Sequence, residues 1–275
     1  MNHTTTTWLT RHLFDVRIDA VTTQQVLNAV DDAIKRRTRL LISVVNAAKM
    51  VNMDRDPALR RAVLGADLIL ADGMSIVWAC RLFRSPLPER VAGIDLMRCM
   101  LERCDRNGHA VYLLGAEENV LAVARERVAQ DYPGARIVGS RHGYYPATDE
   151  AQVAENIRDV KPDILFVAMS SPRKERFIAK WAHRMDVPVY HGVGGAFDVL
   201  AGKVRRAPKV IQRMGLEWAF RAAQEPRRLL SRYLDTNTVF AAKVMQEALQ
   251  RSRRVLFGID APAKAAIRPL RVRHH

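Results

Sequence analysis

Short apolar runs alternate with helix-periodic segments along most of this chain, and that rhythm is the strongest constraint on its fold. Leu40 to Val45, Asp67 to Ala71, Val111 to Leu114, Ile164 to Ala168 and Val187 to His191 are apolar without polar alternation. Strands of that kind are buried on both faces. Between them, Ile94 to Arg106, Glu117 to Gln130, Asp149 to Val160 and Pro172 to Met185 read as helices, with one more strand at Arg136 to Ser140. Earlier, Leu13 to Asp19 alternates like a short strand, and Thr22 to Arg37 places Val26, Leu27, Val30 and Ile34 at helical spacing behind a Thr22 or Thr23 cap. The expected fold class is α/β, a mainly parallel Rossmann-like sheet with helices on both faces. Ligands of such sheets bind beyond the carboxyl ends of the strands, so the loops there are where chemistry is sought.

After about Gly202 the strand signal stops. Lys209 to roughly Gln250 reads as successive helices broken at Gly215 and Pro226, and the last residues mix Arg, Pro and small side chains without periodicity. The sequence thus predicts an α/β catalytic body over 1–202, a helical appendage over 203–250 and a mobile basic tail over 251–275. Charge follows the same division. The whole chain carries +15, with 17 basic and 5 acidic residues from Lys203 to His275 against 27 and 24 before them. The body is therefore nearly neutral at +3 and the C-terminal quarter carries +12.

Such an excess points to a polyanionic partner: nucleic acid, anionic lipid or a phosphorylated substrate. In the appendage, Arg205, Arg206, Arg213, Arg221, Arg227, Arg228 and Arg232 interleave with Leu216, Trp218, Phe220, Leu229, Leu230, Tyr233 and Leu234. That mixture suits an anionic membrane surface or a lid packed on the sheet. No helix-turn-helix or RNP signature is present, so nucleic acid is not expected as a partner. The N-terminus lacks the apolar region of a signal peptide and no window is apolar enough to span a bilayer, which leads to an expected cytoplasmic location with surface attachment. Cys80, Cys99 and Cys104 form neither a CxxC pair nor a zinc pattern and read as reduced thiols on helices.

Three strand ends carry candidate chemistry. Asp72, at the end of DLILADG, can act as a general base for a sugar hydroxyl or can cap the helix beginning near Met74. In MSSPRKERF, Ser171 suits an N-cap and Pro172 the first helical position, which puts Arg173 and Lys174 in the first turn. The helix dipole disfavours cations there, so either a bound anion offsets them or they are solvated charges with Glu175 as a local partner. In HGVGGAFDVLAG, Gly194 and Gly195 allow a backbone to approach a ligand closely, with Asp198 just beyond, although the spacing is not a dinucleotide fingerprint. Asp54-Arg55-Asp56 matches a D-x-D metal pattern formally, but Asp56 precedes Pro57 and reads as an N-cap. No cofactor or metal is expected, phosphate charge being met by Arg and Lys.

These segments, in this order, resemble the WecG/TagA/CpsF family of bacterial glycosyltransferases. The resemblance is carried by Asn46 in SVVNA, ADG at 71–73, RVAGIDL at 90–96, LLG at 113–115, GYY at 143–145, SPRKE at 171–175, GVGGAFDVLAGKVRRAP at 192–208 and GLEWAFRAAQEPRR at 215–228. It covers about residues 13–235. The resemblance implies inverting transfer of a sugar, N-acetylmannosamine in the best-known branches, from a UDP-sugar donor to a polyprenyl-diphosphate-linked acceptor in surface polysaccharide synthesis. Asp72 matches the family's proposed base, Arg90 the arginine of its R-x-x-G-x-D-L block, Asn46 its strand-end asparagine and Lys174 a site-facing position. Asp95, Gly194, Gly195, Asp198, Arg206, Arg221 and Arg228 complete the expected substrate-binding set. The appendage corresponds to a segment thought to close the site on the inner face of the plasma membrane, and a homo-oligomer is left open.

Two positions depart from the family pattern. Val44 stands where Thr is frequent, with Ser43 nearby, and Lys174 stands where Gln is frequent. An ammonium there strengthens attraction for phosphate or a sugar carboxylate, so glucosyl, glucuronosyl and mannosaminuronosyl donors stay open beside N-acetylmannosaminyl. Outside this class, a nicotinamide oxidoreductase lacks its glycine fingerprint, and a noncatalytic scaffold of a polysaccharide complex remains as the alternative.

Overall fold

A computed structural model of the chain describes residues 7–256 and 266–269. The chain opens with β1 (Thr7–Leu13) and β2 (Val16–Asp19), an antiparallel hairpin in place of the single strand expected over Leu13 to Asp19. Phe14 and Asp15 both adopt positive φ, 49° and 62°, the hand of turn that matches strand twist. Next come α1 (Thr23–Arg36) and β3 (Leu40–Val45). Thr22 and Gln25 form a reciprocal capping box at the start of α1. They are followed by α2 (Ala47–Arg55), α3 (Pro57–Leu64), β4 (Leu68–Ala71), α4 (Met74–Leu82), α5 (Gly93–Asn107) and β5 (Ala110–Gly115). The body continues through α6 (Glu118–Asp131), β6 (Arg136–Arg141), α7 (Glu150–Asp159), β7 (Ile164–Ala168), α8 (Arg173–Met185), β8 (Val189–Gly192) and α9 (Ala196–Leu200).

The six strands after the hairpin form one parallel sheet in the order β4-β3-β8-β7-β5-β6. Strands β4, β5, β7 and β8 are buried along their whole length, as apolar runs predict for a sheet covered on both sides. One core packs α1, α5 and α6 on one face, and Phe177, Ile178 and Trp181 of α8 cover part of the other. Glycine is required at Gly115, the end of β5: φ is 129°, and a Cβ would fall 2.4 Å from the Ala168 carbonyl. Strands β3 and β8 lie side by side, β3 connecting outward to β4 while β8 is entered from β7 on the other side. The carboxyl ends of these strands flank a topological switch point.

The appendage comprises α10 (Lys209–Arg213), α11 (Glu217–Gln224) and α12 (Pro226–Leu256). It is joined to the body by ion pairs as well as packing. Arg55 of α2 meets Asp235 of α12 at 2.6 Å, Lys243 pairs with Asp54, and Phe240 is buried edge-on to Phe14. The boundary expected at 250 falls inside α12, which continues to Leu256. Of the remainder of the basic tail, only β9 (Ala266–Pro269), antiparallel to β1, is described; the other tail residues lie outside the described residues.

Candidate active site

A cavity of about 580 Å³ opens at the carboxyl ends of β3, β4 and β8 and is roofed by the appendage. Its floor is built from strand ends. Asn46, directly after β3, caps α2 by accepting the Lys49 N–H at 2.9 Å. That leaves its carboxamide N–H donors uncommitted among the described residues. Asp72, directly after β4, does not cap the following helix, the alternative open in the sequence; the N-cap of α4 is Gly73, with no side-chain bond. Instead Asp72 Oδ1 accepts from the Gly93 N–H at the start of α5, 3.1 Å away. Gly73, next in sequence to Asp72, packs close to Asn46.

The surroundings of Asp72 raise its proton affinity. Desolvation is the largest cause and the nearby Glu217 carboxylate the next, with Arg90, the Gly93 N–H and Lys49 acting in the opposite direction. The carboxylate faces the cavity while dense protein surrounds it on the other sides. Its partner Gly93 is itself fixed: the Gly93 carbonyl lies 3.0 Å from His191 Nε2 near the carboxyl end of β8. Burial lowers the His191 pKa to about 4, so the ring is neutral at pH 7 and its Nε2–H donates to that carbonyl. The Val44 methyl groups lie beside Gly93.

Arginines expected to face substrate divide into two groups. Arg90 and Arg206 line the cavity and also hold protein partners: Arg90 bonds Glu217 at 3.0 Å and Gln212 at 3.1 Å, and Arg206 pairs with Asp95 and bonds Gln212 at 3.2 Å. Asp95, one of the expected substrate ligands, is thus the counter-ion of Arg206, which lowers its pKa against the opposing effect of burial. Together with Glu217 these side chains clasp α10 and α11 to the start of α5. Arg221 stands apart from the clasp. Its guanidinium lies against the glycine turn after β8, where a Cβ on Gly195 would fall 2.7 Å from Arg221 Nη2 and 3.4 Å from Asp198 Oδ2. Gly194 has φ of 56°, so the turn needs both glycines, one for conformation and one for space. The side chain of Arg228 lies outside the described residues.

The start of α8 differs from expectation. Pro172 is the N-cap and Arg173 the first helical residue, one position later than the Ser171 cap predicted. Both first-turn cations have protein partners. Arg173 donates to the Tyr145 carbonyl at 2.6 Å and sits over the Tyr145 ring, while Lys174 and Glu175 are both buried and paired. Asp56 caps α3 as expected, and Asp54 pairs with Arg60 and Lys243. Among the described residues no cluster of three or more His, Cys, Asp or Glu has the arrangement of a metal site.

Lys49 and Asn237, which no sequence feature singles out, also line the cavity, as do Tyr144 of the GYY block and Arg232 and Tyr233 of the appendage. Tyr144 lies within the GYY block and is 70% exposed, a signal that aromatic exposure, not periodicity, supplies. Lys49 sits three residues after Asn46 in an otherwise ordinary helix and carries no motif.

The profile of the glycosyl transferase WecG/TagA/CpsF family matches residues 11–254. A protein of Bacillus spizizenii named N-acetylglucosaminyldiphosphoundecaprenol N-acetyl-beta-D-mannosaminyltransferase is 39% identical over 180 residues, covering 64% of this chain and 69% of that protein.

Proposed function

The chain belongs to the glycosyl transferase WecG/TagA/CpsF family, and from that premise we propose that it moves a hexosyl unit from a UDP-sugar onto a polyprenyl-diphosphate-linked acceptor with inversion. The observation that carries this reading is Asp72, a desolvated carboxylate on the floor of a cavity whose rim is rich in arginine. Asp72 takes the proton of an acceptor hydroxyl as that oxygen attacks the anomeric carbon, and the bond to the UDP oxygen breaks on the opposite side. Negative charge growing on the leaving diphosphate meets Arg221, held against the glycine turn, and Arg232, which lines the same cavity. The acceptor class follows the B. spizizenii relative, whose name specifies a diphosphoundecaprenol-linked N-acetylglucosamine.

The reading is tested by a panel of UDP-sugars offered with N-acetylglucosaminyl-diphosphoundecaprenol, following UDP release and product mass. Release with at least one donor, coupled to a product heavier by one sugar, is expected. No turnover with any donor would favour the scaffold alternative instead.

A lipid-borne acceptor also gives a role to the exposed apolar surface. Trp78 is 46% and Leu82 59% exposed on one face of α4, and Trp78 packs against Gly215 in the turn between α10 and α11. Val210, Met214 and Leu216 flank that turn, also exposed, among the arginines of the appendage. No helix among the described residues is long and apolar enough to cross a membrane. The proposed attachment is therefore peripheral, on the inner leaflet, with apolar side chains at the headgroup boundary and arginines on anionic lipid. Co-sedimentation with vesicles containing phosphatidylglycerol should be strong at low salt and weaken markedly in a Trp78→Ser, Leu216→Ser double variant. Equal sedimentation of both proteins would remove this surface from the reading.

A further inference from the structure

His191 is a fully buried titratable side chain to which the reaction above gives no part. It stands near the carboxyl end of β8, in register with Ile42 of β3 on one side and Phe166 of β7 on the other. The ring is edge-on to Phe166, and a Cβ on Gly93 would lie 3.9 Å from its Cε1 and 3.6 Å from a Val44 methyl. An aliphatic side chain would suit such surroundings better. Burying an imidazole among apolar groups costs desolvation unless a hydrogen bond offsets it, and here Nε2–H donates to the Gly93 carbonyl at 3.0 Å.

That carbonyl belongs to the residue that holds the base. Gly93 opens α5, so its N–H is one of the donors a helix leaves unpaired at its start, and Asp72 Oδ1 takes it at 3.1 Å. The N-cap, Ala92, makes no side-chain bond there. The core fixes the body of α5 through the buried Leu96, Met97, Met100 and Leu101, but Gly93 has no side chain to seat its own turn. Beyond the helix its anchors are backbone groups, the N–H on Asp72 and the carbonyl on His191. Holding one end of the residue therefore aims the other.

Burial is the largest influence on His191 and opposes its protonation, as do Lys49 of α2 and Lys174 of α8. Those two ammonium groups share Glu175 Oε1 at 2.7 Å and 3.0 Å, and the three side chains form a buried ionic cluster. The ring thus stays neutral around pH 7 and its donor is always present. The charges acting on Asp72 are Glu217 of α11, Arg90 and Lys49. We propose that His191 is a positioning residue of the transfer: through the Gly93 carbonyl it keeps the Gly93 N–H on Asp72 Oδ1, which leaves Oδ2 to the acceptor hydroxyl. The inference rests on the reading of the chain as a transferase with Asp72 as its base, and it adds a side chain that does not itself line the cavity.

Steady-state kinetics test it together with an NMR titration of the Asp72 carboxyl in the substrate-free protein, the signal being identified by its loss in Asp72→Asn. His191→Leu removes the donor and His191→Gln restores one. A less firmly held Gly93 N–H stabilises the carboxylate less, so in His191→Leu the Asp72 titration and the acid limb of kcat should both move to higher pH by about half a unit or more. In the same variant kcat should fall about tenfold, with the donor KM little changed. His191→Gln should recover most of both. An unmoved titration, or a fall in kcat without that movement, would make His191 a packing residue and overturn the proposal. Nitrogen NMR of the native ring should show the Nε2–H tautomer; the Nδ1–H tautomer cannot donate to the Gly93 carbonyl and would overturn the proposal even where a variant fails to fold. Absence of turnover by the native chain with every UDP-sugar, beside a titration that still moves in His191→Leu, would overturn the transferase reading and leave the link from His191 to Asp72 in place.

Discussion

Replacing Asp72 by Asn should cut transfer by about 10²- to 10⁴-fold, the range a positioned general base contributes. The substitution is well suited to the geometry, because the Asn side-chain oxygen can still accept from the Gly93 N–H that now holds Asp72 Oδ1. What it removes is the capacity to take a proton. Turnover is measured as UDP release in the presence of acceptor, and UDP binding is followed separately by calorimetry. Near-native turnover would refute the base assignment, while loss of UDP binding would make Asp72 a ligand of the nucleotide instead. The pH profile carries the same assignment. Burial and Glu217 raise the Asp72 pKa, and a base works only when ionised, so the rate should rise with pH through an inflection above the ordinary carboxylate range. That acid limb should be absent from the residual activity of the Asn variant.

The largest effect on stability is expected at Glu175. Glu175→Ala leaves two buried ammonium groups facing each other without a counter-charge, and breaking a buried pair in this way typically costs about 3 to 5 kcal/mol. Urea unfolding should report it as a lower midpoint, whereas Lys174→Gln should cost little or stabilise, since it removes the cation that burial most disfavours. The two substitutions thus differ in sign of charge and in size of effect. If Glu175→Ala unfolds at the native midpoint, the three side chains do not form the cluster described. The pH dependence follows from the two shifts. Glu175 is held down to about 2 by its lysines, so its contribution is complete above the ordinary glutamate pKa and is lost as pH falls toward 2. The folded-state pKa of Lys174 lies below its unfolded value, so its burden is present below about 8 and is relieved as pH rises from there toward 10.5.

The sheet was legible in the sequence because both-face burial leaves no polar alternation to blur strand ends. Leu40–Val45 and Ile164–Ala168 form strands at the expected bounds. The hairpin was not legible. Apolar alternation runs straight through Phe14 and Asp15, and nothing in their residue types announces that both take positive φ. In the site, the strand-end positions of Asn46 and Asp72 followed from the fold, but the partner of Asp72 lies 21 residues away in sequence and the partner of Lys49 lies on a different helix, α8. Such pairings depend on how layers stack. The same applies to the ion pairs that join Arg90, Asp95 and Arg206, residues that the family resemblance places in the substrate-binding set.

That clasp has a consequence for when the base is competent. Glu217 belongs to α11 and is gripped by Arg90, yet its negative field is also the second-largest influence raising the proton affinity of Asp72. The readiness of the body's carboxylate to accept a proton is thus written partly on the roof above it. An appendage lifted from its seat would leave a weaker base beneath an open cavity. In the transferase proposed above, water entering in that interval would meet the donor with the least chemical help.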